Sequence, residues 1–229
     1  FNLSITRERT IKSTRGNIRD RNGQLLAYNQ LSYSVTLEDN GTYDSTREQN
    51  LTLNYVVYEL LKILQNNGES TDISFYIDID DNGEYVFTAS GFTLNRFKAD
   101  VYGEAEIDAL KDDQINATAQ EMMDYMCGED RFGLVNNENP YTSEELESHG
   151  LPESFTQEET LEITKIRYIL STNSFQKYIP VTIATNVSEE TVAEVTERKD
   201  KLQGVDIAED SIRVYDDAEY FANLIGYTG

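Results

Sequence analysis

Apolar positions in this chain recur at two spacings, and the stretches divide cleanly between them. Leu53, Val56, Val57, Leu60, Leu61 and Leu64 recur at intervals of three and four, the period of a helix with one buried face, and Asn66-Asn67-Gly68 ends it. Leu31–Glu38 instead alternates at period two, which predicts a half-buried strand. Asn22-Gly23 joins Asn17–Arg21 to Gln24–Tyr28, and Asn-Gly is a strong hairpin signal because both residues accept positive φ. A two-residue loop there pairs Arg21 with Gln24 and Ile18 with Ala27. Asn82-Gly83 predicts a second hairpin between Ile73–Ile79 and Glu84–Ser90.

Further along, Ile107–Met126 reads as one or two helices with a weak stripe of Ile115, Ala119, Met122, Met123 and Met126. Residues 127–155 read as loop with a short helix near Thr142–Ser148. Thr156-Gln157-Glu158-Glu159 is a capping box opening a helix over Leu161–Leu170. Ile179–Thr185 reads as a strand, and Ser188 caps a helix running through Thr191–Lys201 to Gly204. Val205–Ile207 and Ser211–Tyr215 read as a strand pair, and Ala218–Ile225 as a short helix. Helices and strands mix without a regular βαβ repeat, so the expected class is α+β.

Composition narrows the function. The 229 residues carry a formal net charge of -23, which argues against a nucleic-acid partner because phosphates need basic surface. The charge is uneven. Residues 1–27 hold six Lys/Arg against two acids, a net of +4, while the other 202 residues hold 13 bases and 40 acids, a net of -27. Such a leader can bind an anionic lipid or polymer, or pair with the acidic remainder; internal pairing is the simpler reading. No apolar run is long enough to span a membrane. The chain opens on Phe1 and stops at Gly229, the appearance of a piece of a longer protein, with any anchor expected upstream. A lone Cys127 excludes an intramolecular disulfide.

Segments that resemble chemical motifs read better as structure. Ser174-Phe175-Gln176-Lys177 is formally Ser-x-x-Lys, in which a lysine can activate a serine nucleophile. Ser171-Thr172-Asn173 is too close to it to converge from a separate element, and no Lys-Thr-Gly occurs. Asp78-Ile79-Asp80-Asp81-Asn82-Gly83 matches the first half of a calcium loop, but position twelve is Ala89 where a bidentate Glu is needed. That segment is expected to be a hairpin tip. His149 and Cys127 are too few for a zinc site. No cofactor and no metal is expected.

The most informative segment is Arg15–Ala27, which follows the pattern R-G-x-I-x-D-R-x-G-x-x-L-A, with eight fixed types in thirteen positions. It resembles the start of the ectodomain in class B penicillin-binding proteins. Ile166-Arg167-Tyr168, Phe175–Val181, Ile183–Ser188, Leu202–Val205, Ser211–Tyr215 and Ile225–Gly229 resemble later family segments in the same order. The likeness is dense over 11–38 and 161–229 and weak over 48–155, and its spacing is most like elongation-type members of Gram-positive bacteria.

The resemblance implies an elongated pedestal of hairpins and short helices, residues 1–47 and 156–229, with an inserted α/β head, residues 48–155. It implies a non-catalytic scaffold for a peptidoglycan D,D-transpeptidase domain lying beyond residue 229. The expected partners are that domain, a glycosyltransferase, a rod-shape scaffold protein and a second copy of the chain. The expected place is the outer face of the bacterial cytoplasmic membrane, reached through an absent N-terminal anchor. The candidate interaction residues are Arg15, Gly16, Ile18, Asp20, Arg21, Gly23, Leu26, Ala27 and Arg213. Arg15, Asp20 and Arg21 are expected to meet the transpeptidase domain or the returning segment near Arg213. The competing readings are a stand-alone serine acyl-transferase or hydrolase using Ser174 and Lys177, and an acidic surface module.

Overall fold

The computed structural model describes residues 15–134, 141–172 and 179–216, and their elements are mixed α and β. Helix α1, Thr46–Asn66, is the longest. It starts where the Ser45 side chain accepts the Glu48 N–H, and it stops at Asn67 and Gly68, the latter at φ +72°. Its stripe of Leu53, Val56, Val57, Leu60, Leu61 and Leu64 is buried, each side chain contributing roughly 1.5–3 kcal/mol. That stripe packs against α6, Gln157–Thr172, which opens on the predicted capping box: Glu159 N–H donates to Thr156 Oγ1 and Thr156 N–H to Glu159 Oε2.

At the centre of this helix pair lies a charge. Arg167 of α6 is buried. It donates to Asn50 Oδ1 at 2.7 Å, to Asn54 Oδ1 and to the Phe132 carbonyl at 3.3 Å. Both amides pass the link onward. Asn50 Nδ2 donates to the Arg131 carbonyl at 2.9 Å, and Asn54 Nδ2 to the Phe132 and Gly133 carbonyls at 2.9 and 3.1 Å. The Phe132 ring faces the guanidinium at 5.1 Å. Burial draws the Arg167 pKa down to about 10, which leaves it charged at neutral pH.

Helix α2, Gly91–Tyr102, and helices α3, Asp112–Asn116, and α4, Ala119–Cys127, cover the rest of this core. Phe75, Tyr76, Phe97 and Tyr168 meet edge to face at 5.3 to 5.6 Å. Met122, Met123 and Met126 are buried there, as their stripe predicts. The stretch Ile107–Met126 breaks twice, into a 3-10 turn at Ile107–Ala109 and the two helices. The second break is fixed by Lys98, a buried amine that donates to the Ile115 and Ala117 carbonyls at 2.6 and 2.8 Å. Helix α2 was not expected from the sequence, because that lysine interrupts its stripe of Leu94, Phe97 and Val101. Helix α5, Ser143–Ser148, matches its predicted position, and α7, Glu189–Glu197, starts at the predicted Ser188 cap but stops four residues short of Lys201; each is capped by the preceding residue.

Strand β2, Leu25–Leu37, runs through the four-stranded sheet. It pairs with β1, Ile18–Arg19, with β5, Val181–Ala184, and with β6, Val205–Tyr215. Val205–Ile207 and Ser211–Tyr215 therefore do not pair with each other. They are the two ends of one strand, because Ala208-Glu209-Asp210 extends where a turn was expected. Glu38 donates its N–H to the Gly204 carbonyl at 3.0 Å, and a Cβ on Gly204 would lie 2.1 Å from the Glu38 oxygen. Strands β3, Ile77–Ile79, and β4, Tyr85–Phe87, form the second hairpin, shorter than predicted. The described residues fall into two units, 34–208 and 15–33 with 209–216. Among them, no helix is long and apolar enough to cross a membrane. The helix expected over Ala218–Ile225 lies outside the described residues.

Two predictions follow from the larger unit. Arg167→Ala strips two buried amide oxygens of their donor and opens a cavity, so denaturant unfolding should show a loss of about 3 kcal/mol or more; a loss below about 1 kcal/mol would remove the node from the core account. Glu145 on α5 accepts from Arg47 on α1 at 2.9 Å and from the Thr142 N–H. The hydrogen bonds from Arg47, with those from Thr142, hold its pKa down at about 2, against 4.5 for a free glutamate. Since the folded value is the lower one, the stabilisation is full above pH 4.5 and is lost as the pH falls toward 2. Melting temperature should drop across that window, and less steeply in Glu145→Gln.

Candidate functional site

Eight of the nine candidate residues lie in the β1–β2 hairpin and its lead-in. Only Gly23, at φ +84°, takes the left-handed conformation; Asn22 does not. The Asp20 N–H donates to the Gln24 carbonyl at 2.9 Å and the Gly23 N–H to the Asp20 carbonyl at 3.0 Å. This is a three-residue loop, so the predicted two-residue turn and its Arg21–Gln24 pair are not formed. Ile18 nevertheless faces Ala27 as predicted, because an irregularity between Ile18 and Arg19 absorbs the extra residue.

Asp20 explains the change. Its Oδ1 accepts the N–H groups of Asn22 and Gln24, both at 2.8 Å, and its Oδ2 accepts the Asn22 amide at 3.2 Å. The carboxylate is thus engaged inside its own turn. Asp80 repeats the pattern at the second hairpin tip with Asn82 and Glu84, and those bonds hold its pKa below the ordinary carboxylate value. That tip is a turn whose acceptor oxygens are already used, flanked by strands. Among the described residues, no group of three or more His, Cys, Asp or Glu could hold a metal ion.

Residues 10–229 match the family described as the penicillin-binding protein dimerisation domain. The chain belongs to this family. It is a non-catalytic module of penicillin-binding proteins. Among solved structures it is similar to penicillin-binding protein 2B of Streptococcus pneumoniae, strains 5204 and R6, at 17% identity to each. The likeness covers 94% of this chain in both cases, and 28% and 27% of those chains, with TM-scores of 0.42 and 0.37. The chain thus spans less than a third of the length of these relatives. Among curated proteins, none matches.

In this dimerisation domain the candidate residues divide by what they touch. Asn29 on β2 donates to the Arg15 carbonyl and accepts from Arg213 Nη1 at 3.2 Å, so one amide joins the lead-in to β6. The Arg213 guanidinium lies 5.9 Å from the Tyr215 ring. Leu26 accepts the Asp216 N–H at 3.0 Å, and Ala27 is buried. Arg21 and Gly16 are exposed and a Cβ on Gly16 would meet nothing within 4 Å. Arg19, which the sequence reading passed over, closes the hairpin by donating to the Gly23 carbonyl at 2.8 Å. Asn29 was missed as well; its only signal was the Asn29-Gln30 amide pair inside the strand. Ser174 and Lys177 lie outside the described residues. His149 caps the end of α5, with Nδ1 2.8 Å from the Glu145 carbonyl.

What the smaller unit, residues 15–33 with 209–216, lacks is a core. Among its described residues only Ala27 and Ser32 are buried, while Leu31 is 57% exposed, Ile18 40% and Ile212 37%. Its order therefore rests on the turn and the ladder. Gly23→Val should destabilise the hairpin by about 1–2 kcal/mol through the left-handed backbone, whereas Gly16→Ala should be close to neutral. Amide exchange at Asp20 and Gln24, whose N–H groups donate to the Gln24 carbonyl and to Asp20 Oδ1, reads this directly, and equal exchange in the two variants would contradict the turn.

Proposed function

We propose that this module is the non-catalytic scaffold of a peptidoglycan D,D-transpeptidase, lifting and orienting a catalytic domain encoded downstream. The observation that carries the reading is the family match over residues 10–229. The smaller unit supports it. A face with Leu31 and Ile18 exposed and hardly any buried residue of its own suits a contact surface better than a free-standing fold. In this reading Arg15, Gly16, Ile18, Asp20, Arg21, Gly23, Leu26, Ala27 and Arg213 form or shape the surface on which the catalytic domain rests. Residues 1–47 and 156–229 act as pedestal, and residues 48–155 as the inserted head.

The same reading places the protein on the outer face of the bacterial cytoplasmic membrane, anchored by a helix upstream of Phe1. The head is free to dock a glycosyltransferase or a rod-shape scaffold protein, and the family's description supports self-association. Fluorescent penicillin tests the division of labour. The isolated chain should not be labelled, and the chain extended by its native downstream sequence should be. Covalent labelling of the isolated chain that disappears in Ser174→Ala would overturn the scaffold reading in favour of a serine acyl-transferase.

A further inference from the structure

Among the described residues, one side of strand β6 carries no partner strand. Asp216 donates its N–H to Leu26, and Gly204 accepts from Glu38, so even-numbered residues of β6 turn their backbone groups toward β2. The odd-numbered residues turn theirs outward, where no strand pairs with them among the described residues. An open edge of eleven residues is a template for another chain.

Two of its outward N–H groups are already occupied. Ile207 donates to Asp206 Oδ1 at 2.9 Å, and Ser211 to Asp210 Oδ1 at 2.8 Å. In each case the carboxylate belongs to the residue immediately before. Lys199 Nζ holds the Asp206 carboxylate in place at 2.9 Å. The device recurs on the second sheet. There Asp80 pairs with Glu84, which turns Ile79 outward, and the Ile79 N–H donates to Asp78 Oδ1 at 2.9 Å. Three outward strand amides thus share one cover, an aspartate at the preceding position.

We propose that Asp206 and Asp210 guard the open edge of β6 against strand pairing with a second copy of this chain. The pairing they prevent has a defined register. Two such edges meet odd residue to odd residue, and a two-fold ladder centred on Ser211 sets Glu209 opposite Arg213 of the second copy, twice over. Shifting the register one step either way sets Glu209 against Ser211 or Tyr215 and loses both charge pairs. The edge is therefore self-complementary in charge, and the covering carboxylates are what keep it closed. Self-association of the module, where it occurs, uses another surface.

Sedimentation of the whole chain over a range of concentrations tests this. Asp206→Ala with Asp210→Ala should produce a heavier, concentration-dependent species. Asp206→Asn with Asp210→Asn, which keeps an acceptor oxygen at each position, should sediment as the parent does. In the alanine background Arg213→Glu should weaken the association, and adding Glu209→Arg should restore it. Amide exchange in the parent gives a second readout that needs no variant: Ile207 and Ser211 should exchange about fivefold to tenfold more slowly than Glu209 and Arg213. Equal exchange at the four amides, or a folded alanine variant that sediments as the parent at every concentration, would overturn the proposal.

Discussion

The larger unit depends on a buried cation balanced by neutral oxygens. Arg167 sits inside the α1–α6 interface and is met by two asparagine amides and a backbone carbonyl. A charge in that position is tolerated only while its donors stay engaged, so the acceptors must be held in place. Asn50 and Asn54 lie one turn apart on α1, which puts both on the face that α6 covers. Their remaining donors fix the carbonyls of Arg131, Phe132 and Gly133. One guanidinium thereby sets the register of two helices and the path of the loop that follows α4. Apolar packing alone would allow these helices to slide by small steps; directed hydrogen bonds do not.

The smaller unit is organised by a different principle. It has two buried residues where the larger unit has a continuous core, and its order comes from the Asp20 turn, the Asn29 bridge and the pairing of β2 with β6. A structure of that kind keeps apolar side chains such as Leu31 at the surface without collapsing around them. This agrees with a non-catalytic module, which is what the family match gives. One unit is held by its core, the other by its backbone hydrogen bonds.

Much of this was legible in the residues. The stripe from Leu53 to Leu64, the Thr156–Glu159 box, the Ser188 cap and the methionines of α4 each acted locally, and each appears where its pattern put it. The thirteen-residue segment at Arg15–Ala27 identified the family before any fold was in view. What stayed hidden depended on contacts distant in sequence. Asn50, Asn54 and Arg167 are polar residues on apolar stripes, a sign of a buried network, yet their partners are more than a hundred residues apart. Lys98 disguised α2 by placing a charge on its inner face. Asn22-Gly23 marked a hairpin correctly, but Asp20 two residues earlier decided its loop length, and the same local choice recurs at Asp80. The continuity of β6 was invisible for a similar reason, since Ala208-Glu209-Asp210 reads as a break until β2 is there to pair with it.

The central claim is that the larger unit is held by its own core whereas the smaller unit is held by its turn and its strand ladder. Residue-resolved amide exchange on the isolated chain tests it most directly. The account predicts strong protection for the central amides of α1 and α6. It predicts much weaker protection for those of Ile18, Ala27, Ile212 and Val214. Protection of the smaller unit equal to that of α1 and α6, in the isolated chain, would contradict it.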